Sequence, residues 1–289
     1  MKIALTGAKG FTGQHFASLA RKFEHEVVAI ESDLQDPTAL TAEFQKHGEN
    51  GVFDAVVHLA AISHVVHNDL SAYYKVNVAG SAHLLEAVLA TGHASKILLA
   101  SSANIYGNCE ASPITEKQLP APVNHYAVSK LAMEYMAKTY SDKLPIVVAR
   151  PFNYTGPGHD KAFLIPKLVH HFVTQANQVS LGNLHVMREF NDVRMVAQCY
   201  LDLIQNGIAN EAYNICTGQA YSLQTVISQL EQLSGQTKEV VVNPAFVRAN
   251  EVHRLCGDPS KLLTASSALE QYTLSDTLSW MLKEAIAAN

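Results

Sequence analysis

The chain opens on "KIALTGAKGFTGQHF", an apolar run from Lys2 to Thr6 that breaks on Gly7, Gly10 and Gly13 and resumes as a helical pattern from Phe11 to Lys22. This feature narrows the fold more than any other. A strand that runs through a glycine turn into a helix is the first half of a βαβ unit, and its crossover is right-handed. Glycine lets the backbone turn tightly and come close to a pyrophosphate, while the helix N-terminus offers N–H donors and partial positive charge. The spacing also suits a plain tight turn; its place at the chain start, directly after an apolar strand, favours a dinucleotide loop.

Further apolar runs follow at intervals: "EVVAI", "DAVVHLA", "KILLAS" and "PIVVAR", separated by helical patterns over 38–47, 69–91 and 126–140. Runs of Val, Ile and Leu without polar alternation belong to strands buried on both faces. The expected fold is therefore α/β, a doubly wound parallel Rossmann sheet with a smaller C-terminal α/β substrate lobe. Past Arg150 the rhythm loosens, so residues 1–155 are assigned to the dinucleotide-binding domain, with 190–217 returning to it, and 156–189 with 218–289 to the lobe. Within that lobe "SLQTVISQLEQLSG" reads as a helix bounded by Ser222 and Gly235.

Composition removes several function classes. With 48% hydrophobic and only 16% charged residues the chain reads as tightly packed, and no apolar stretch reaches the roughly 18 residues of a membrane span. The N-terminal run breaks too early for a secretory leader, which implies a cytoplasmic location. A net charge of −5 without basic blocks argues against nucleic acid as a partner. The four cysteines and fourteen histidines show no metal-ligand spacing, so no metal is expected and the cysteines read as small buried hydrophobes.

Two residues bear oppositely on the cofactor. Glu31, at the end of the second strand, would accept both ribose hydroxyls and repel a 2′-phosphate, favouring NADH. Lys9, inside the glycine loop, could pair with that phosphate and favour NADPH, or be a solvated surface charge. Asp33 and Leu34 follow so closely that the usual next strand is shortened or missing, which places them beside the adenine.

The polar stretch "ASSANIYGN" ends the fourth run, and "HYAVSKLAMEY" opens the helix after it. Tyr126 and Lys130, four residues apart, share a helix face. A tyrosine titrates near 10, and a nearby ammonium is the kind of charge that lowers it. Ser102, Tyr126 and Lys130 together, downstream of a dinucleotide loop, are the candidate catalytic set, with Ser102 polarising a substrate oxygen and Tyr126 moving its proton.

These residues resemble the extended short-chain dehydrogenase/reductase family: a GxxGxxG loop, a Ser or Thr four residues before a "YG" tyrosine, then YxxxK. "HLAA" (His58–Ala61) and "VNVAG" (Val76–Gly80) are similar to its other motifs. The likeness covers essentially the whole chain. It implies NADPH or NADH as cofactor, held by Gly7, Lys9, Gly10, Phe11, Gly13, Glu31, Asp33, Leu34, Leu59, Ala60, Ala61, Asn77, Tyr126 and Lys130. It also implies that Lys130 orients the nicotinamide ribose, that Asn77 positions Lys130 through a water, and that the chain pairs as a homodimer through the helices near Asp69 and Tyr126.

In the family's dehydratases a carboxylate stands two residues after the catalytic Ser or Thr, and in its GDP-fucose synthases a cysteine. Asn104 is neither, which leaves ketone reduction or 4-epimerisation. "ARPFNYTGPG", "GNLHVMREFNDV" and "FVRANEVHRLCGDPSKL" are most similar to the GDP-mannose dehydratase and GDP-6-deoxy-4-keto-mannose reductase branch. That likeness sets Arg150 beside the site and makes Asn104, Asn153, Arg188, Arg248 and Glu251 contacts of a nucleotide-sugar substrate; guanidinium forks suit diphosphate oxygens, though Arg188 and Arg248 would equally serve as surface ion-pair partners. The chain departs from the pattern at Glu189 and Met195, where Asp is usual, at Ala249, where Pro is usual, and in "SSALEQY" after "GDPSK". The expected activity is NAD(P)H-dependent reduction of GDP-4-keto-6-deoxy-D-mannose to GDP-D-rhamnose or its 4-epimer. A nucleotide-sugar 4-epimerase with bound NAD is the rival enzyme, and an NAD(P)-sensing regulator the rival from another class.

Overall fold

The computed structural model describes residues 1–48, 52–63, 69–92, 94, 96–174, 177–184, 186–244, 253–266 and 272–288. Its first half contains β1 (Lys2–Thr6), α1 (Phe11–Lys22), β2 (Glu26–Ile30), α2 (Pro37–Gly48), β3 (Ala55–His58), α3 (Leu70–Tyr74), a π-helical turn (Lys75–Gly80), α4 (Ser81–Thr91), β4 (Ile97–Ala100), a 3₁₀ turn (Ala103–Tyr106), α5 (His125–Lys138) and β5 (Ile146–Pro151). Then come β6 (Tyr154–Thr155), α6 (Leu164–Val173), β7 (Gln178–Leu181), β8 (Met187–Arg188), β9 (Asn191–Asp192), α7 (Val193–Asn206), β10 (Ala212–Ile215), β11 (Tyr221–Ser222), α8 (Leu223–Ser234), β12 (Glu239–Val242), β13 (Arg254–Leu255), α9 (Ser260–Ala265) and α10 (Leu274–Ala287).

Six parallel strands form the main sheet in the order β2-β1-β3-β4-β5-β10. The chain leaves β1 for β2 on one side and then crosses back to β3 on the other. That reversal opens a crevice beyond the carboxyl ends of β1 and β3. The doubly wound reading holds, and its reason is visible in the core. On one face Leu5, Val57, Leu98 and Val147 pack against Phe16, Tyr200 and Leu203 of α1 and α7. On the other, Ala4, Val56, Leu99 and Ile146 meet Phe44, Leu85 and Met133 of α2, α4 and α5. With both faces covered, each fully buried aliphatic or aromatic side chain contributes about 1.5–3 kcal/mol.

A second core gathers Leu168 and Phe172 of α6, Val226 and Leu230 of α8, and Leu278 and Met281 of α10. Helix α8 begins on the Ser222 hydroxyl, which accepts from Thr225 N–H, and ends at Gly235 with a left-handed φ of 69°. Strand β10 pairs with β5, and α7 packs beside α1, so this stretch is part of the main body. Helix α9 departs from the expected division at 218, because Leu262 inserts into the core beneath the main sheet. Cys199, Cys216 and Cys256 are buried, Cys109 half-buried, and none forms a disulfide. Among the described residues no helix is long and apolar enough to cross a membrane.

Candidate active site

Every strand of the main sheet points its carboxyl end toward one edge, and there the candidate residues collect. Gly7 follows β1 with φ of 71° and lies so close to the end of β3 that an added Cβ would stand 2.7 Å from Ala60 N. At Gly13 a Cβ would meet the Gly7 carbonyl oxygen at 2.1 Å. These two glycines are demanded by packing. Gly10 has no such neighbour: its Cβ would meet only the Gly7 oxygen, at 3.2 Å, and as the residue capping α1 it supplies no side-chain bond to the helix N–H groups. A pyrophosphate matches that cradle, since it needs an open backbone approach and unclaimed donors. The ring of Phe11 turns aside to stack on His159 at 4.3 Å, and Thr12 Oγ1 bonds the Tyr154 hydroxyl at 2.7 Å, so neither side chain fills the cradle.

At the end of β2 the two opposing cofactor signals meet. Lys9 Nζ lies 2.8 Å from Glu31 Oε1, with both side chains exposed. Glu43, which the sequence does not mark, accepts hydrogen bonds from Glu31 N (3.0 Å) and Ser32 N (2.9 Å) and so fixes the turn that presents Glu31. Those bonds hold its carboxyl below the usual carboxylate range against the opposing effect of burial. Asp33 accepts from Gln35 N in a local turn. Leu34, expected beside the adenine, has its side chain buried in the core against Gly80, and its carbonyl is bonded to His83.

The three candidate catalytic residues come together beyond β4. Ser102 caps the 3₁₀ turn, its Oγ taking hydrogen bonds from Asn104 N (3.2 Å) and Asn104 Nδ2 (3.1 Å). Tyr126 lies buried in the first turn of α5, close enough for the Ser102 hydroxyl to act on its phenol. Burial pushes the Tyr126 phenol up to about 12, against the lowering effect of Ser102. One turn on, burial lowers the Lys130 ammonium to about 8 while the charge of Glu134 resists, and Nζ donates to the Ala100 carbonyl at 2.7 Å. The expected lowering of Tyr126 by Lys130 is therefore corrected: desolvation governs the phenol, and the groups acting on it are Ser102, Tyr154 and Tyr73.

A directional hydrogen-bond chain stabilises this edge from behind. Ser81 Oγ donates to the Asn77 carbonyl (2.7 Å), so at 2.9 Å it accepts from His58 Nε2–H; His58 Nδ1 is then the acceptor for the Thr6 hydroxyl at 2.6 Å, and Thr6 Oγ1 accepts from Ala60 N. The chain requires a neutral imidazole. Burial, then the charge of Lys130, lowers His58 to about 3. Asn77, fully buried in the π-helical turn, bonds both the N–H and the carbonyl of Ile62 and donates to Ser129 Oγ at 3.0 Å, tying the loop after Leu59, Ala60 and Ala61 to the helix carrying Tyr126 and Lys130. A π turn at a functional edge is a recurring device. Asn77 thus reaches Ser129, one residue before Lys130, through its own carboxamide.

The expected substrate contacts divide. Asn153 stands exposed just past β5, at the same edge. Arg188 is buried in β8, with Nη1 donating to the Met187 carbonyl. Arg248 and Glu251, with Ala249, lie outside the described residues. Arg150, expected beside the site, is committed to an ion pair there: Nε and Nη2 grip the two oxygens of Glu134 at 3.0 and 2.7 Å, and Nη1 donates to the Tyr106 hydroxyl. The same Glu134 accepts from Ser101 at 2.5 Å, so this buried pair anchors the residue next to Ser102. Of the family departures, Glu189 is a fully buried clamp that accepts from Gly257 N (2.6 Å) and Thr217 N (2.8 Å), while Met195 lies in the main core.

A six-stranded parallel sheet with a glycine loop at its switch point and a Ser–Tyr–Lys cluster at its carboxyl edge defines an oxidoreductase of the extended short-chain dehydrogenase/reductase type. Residues 12–265 match the family model described as GDP-mannose 4,6 dehydratase, and the chain belongs to that family. It is 38% identical to the GDP-6-deoxy-D-talose 4-dehydrogenase of Aggregatibacter actinomycetemcomitans, over 91% of this chain and 90% of that protein. It is 31% identical to the GDP-6-deoxy-D-mannose reductase of Pseudomonas aeruginosa, over 98% and 96% of the two chains. The solved structure of RMD from Pseudomonas aeruginosa complexed with NADPH superimposes with a TM-score of 0.92 at 29% identity, covering 100% of this chain and 99% of that one.

Proposed function

We propose that the chain reduces the C4 ketone of GDP-4-keto-6-deoxy-D-mannose with NADH or NADPH, giving GDP-D-rhamnose or its 4-epimer. The observation that carries this reading is the neutral, buried Tyr126 phenol in reach of Ser102, with a carboxamide rather than a carboxylate at Asn104. Such a site can give a proton to a forming alkoxide but has no acid or base at Asn104 with which to expel water. The two curated relatives, named for a GDP-6-deoxy-hexose dehydrogenase and reductase, support the same chemistry.

Gly7, Gly10 and Gly13 would hold the pyrophosphate, Glu31 and Lys9 the adenosine ribose, and Lys130 the nicotinamide ribose. When bound, the reduced nicotinamide supplies the hydride. Tyr126 holds the proton that the C4 oxygen takes, Ser102 orients Tyr126, and Asn153 borders the substrate. The nucleotide sugar lies between the carboxyl edge of the main sheet and the lobe built on α6, α8 and α10, with Arg188, Arg248 and Glu251 on its diphosphate and ribose. Homodimerisation through α3, α4 and α5 accords with Val128 and Tyr135, exposed seven residues apart on one face of α5. Nucleotide sugars and reduced dinucleotides are cytoplasmic metabolites, which supports a cytoplasmic enzyme.

The test mixes purified protein with GDP-4-keto-6-deoxy-mannose and either dinucleotide. Stoichiometric loss of the reduced-nicotinamide absorbance is expected. Interconversion of sugar epimers with no net dinucleotide consumption would replace the reductase reading by an epimerase.

A further inference from the structure

The stretch "TGPGHDKAF", Thr155 to Phe163, leaves the carboxyl edge of the main sheet after β6 and leads into α6 of the lobe. Its residue order dictates its first turn. Pro157 and Gly158 hold the two central positions, Gly158 takes a left-handed φ of 84°, and His159 N–H donates to the Gly156 carbonyl at 3.2 Å, the pattern of a type II turn. That turn delivers His159 onto Phe11, the first residue of α1, with ring centroids 4.3 Å apart and planes within 9° of parallel. Phe163, the residue capping α6, stacks on His159 in turn at 4.2 Å and 28°. Three rings in series therefore run from the N-terminus of α1 to the N-terminus of α6. Two hydrogen bonds tie the same pair of segments: His15 Nε2–H donates to the Pro157 carbonyl at 2.9 Å, and Thr12 Oγ1 bonds the Tyr154 hydroxyl at 2.7 Å. Both end in the first half of the loop, so of these three ties the ring stack is the one that reaches α6.

We infer that His159 is a positioning residue that couples the dinucleotide cradle to the substrate lobe through the Phe11–His159–Phe163 stack, so that dinucleotide and nucleotide sugar strengthen each other's binding. This rests on the reductase reading above, which sets the pyrophosphate at the start of α1 and the nucleotide sugar between the sheet edge and the lobe. A pyrophosphate that takes the unclaimed N–H groups at the start of α1 fixes the backbone of Phe11. A fixed Phe11 gives the His159 ring a rigid surface, and stacked aromatic rings hold one another beyond the area they bury. His159 passes that order to Phe163 and so to the first turn of α6. The second ligand then meets a loop already in place and bears less of the ordering cost, which is positive cooperativity. Linkage makes the effect reciprocal: the nucleotide sugar tightens the dinucleotide by the same factor.

The experiment compares the wild-type chain with His159→Ala and His159→Phe. Amide hydrogen exchange across the loop and α6 is followed with and without saturating NADH or NADPH, whichever binds more tightly. The Kd of that dinucleotide is measured by fluorescence with and without saturating GDP. In the wild type the dinucleotide alone should slow exchange at the loop and the first turn of α6, and GDP should lower its Kd by roughly fivefold, the lower end of coupling between distinct sites. His159→Ala should lose the slowing and bring the GDP effect below about twofold, while α8, which packs on α6 in the lobe core, exchanges as in the wild type and so reports a folded lobe. His159→Phe should keep both effects, because the stack uses a flat ring and not an imidazole proton. Wild-type exchange that ignores the dinucleotide, a His159→Ala protein that responds as the wild type does, or a His159→Phe protein that behaves as His159→Ala would each overturn the proposal. GDP that fails to bind would reject the GDP-sugar reading instead, and the exchange response to the dinucleotide would still decide whether His159 links cradle and lobe.

Discussion

Lys9 Nζ stands 2.8 Å from Glu31 Oε1, so the cation of the glycine loop and the carboxylate at the end of β2 neutralise each other at the place proposed for the adenosine ribose. A 2′-phosphate entering there gains Lys9 but faces Glu31, and Glu43 stands behind the same turn. Lys9→Ala should leave Glu31 unopposed and shift the kcat/KM ratio toward NADH by roughly tenfold, and Glu31→Gln should shift it toward NADPH by a similar factor. Paired assays with both dinucleotides at low and high salt check this; equal ratios in all three proteins would remove the pair from cofactor selection.

Arg150 and Glu134 form a buried, bidentate ion pair that also holds Ser101 and Tyr106. Removing one member of such a pair strands a charge, at a cost of about 3–5 kcal/mol. Glu134→Ala is therefore expected to lower urea stability by about that amount, and Glu134→Leu with Arg150→Met to recover most of it. Folded double variant should keep the substrate KM of the wild type. A large rise in KM with stability intact would give Arg150 a role in substrate binding.

The strands were legible in the sequence because a sheet covered on both faces draws mostly apolar residues, as Val56 and Val57, pointing to opposite cores, illustrate. The glycine loop was legible because Gly7 and Gly13 leave no space for a Cβ. Contacts between distant polar residues were not. Thr6, His58 and Ser81 are ordinary residues one at a time, and their chain exists only because β1 and β3 pair with Thr6 opposite His58. Arg150 read only as a neighbour of the site, because its partner Glu134, one turn beyond Lys130 on α5, carries no local mark. Nothing in "SDLQD" reveals that Gly80 leaves a slot for the Leu34 side chain.

His58 makes a prediction about acid stability. Its folded value is lowered to about 3 by burial, so below its unfolded value near 6.5 the unfolded chain holds one more proton than the folded one. Stability contributed by the neutral ring is complete above that value and falls as pH drops, by about 1.4 kcal/mol per pH unit until the folded value is reached. Between pH 6 and 4, His58→Asn should show a flatter decline than the wild type by about 1–3 kcal/mol in urea unfolding. Parallel declines would mean that the ring is protonated in the folded protein.

Lys130 gives a prediction on dinucleotide affinity. Burial lowers its ammonium to about 8, so the charge proposed to hold the nicotinamide ribose is present below that pH and lost above it. The Kd of NADH, followed by fluorescence, should rise above pH 8 by up to about tenfold per unit. Lys130→Met should bind weakly with no such limb. A wild-type Kd that is level from pH 7 to 10 would detach Lys130 from cofactor binding.

Tyr126 separates the two directions of the reaction. Reduction needs a phenol that carries its proton, and oxidation of the 4-hydroxy sugar needs one that has lost it. With the phenol pushed up to about 12 by burial, Tyr126 is protonated throughout the neutral range, and Ser102 lowers it without bringing it into that range. The reductive kcat should therefore be level from pH 6 to 8, below the Lys130 transition, whereas the oxidative kcat should climb about tenfold per pH unit as the small phenolate fraction grows. Tyr126→Phe should lower kcat in both directions by roughly 10²–10⁴. An oxidative rate level in pH, or a Tyr126→Phe protein with wild-type turnover, would assign the proton to another group at this edge.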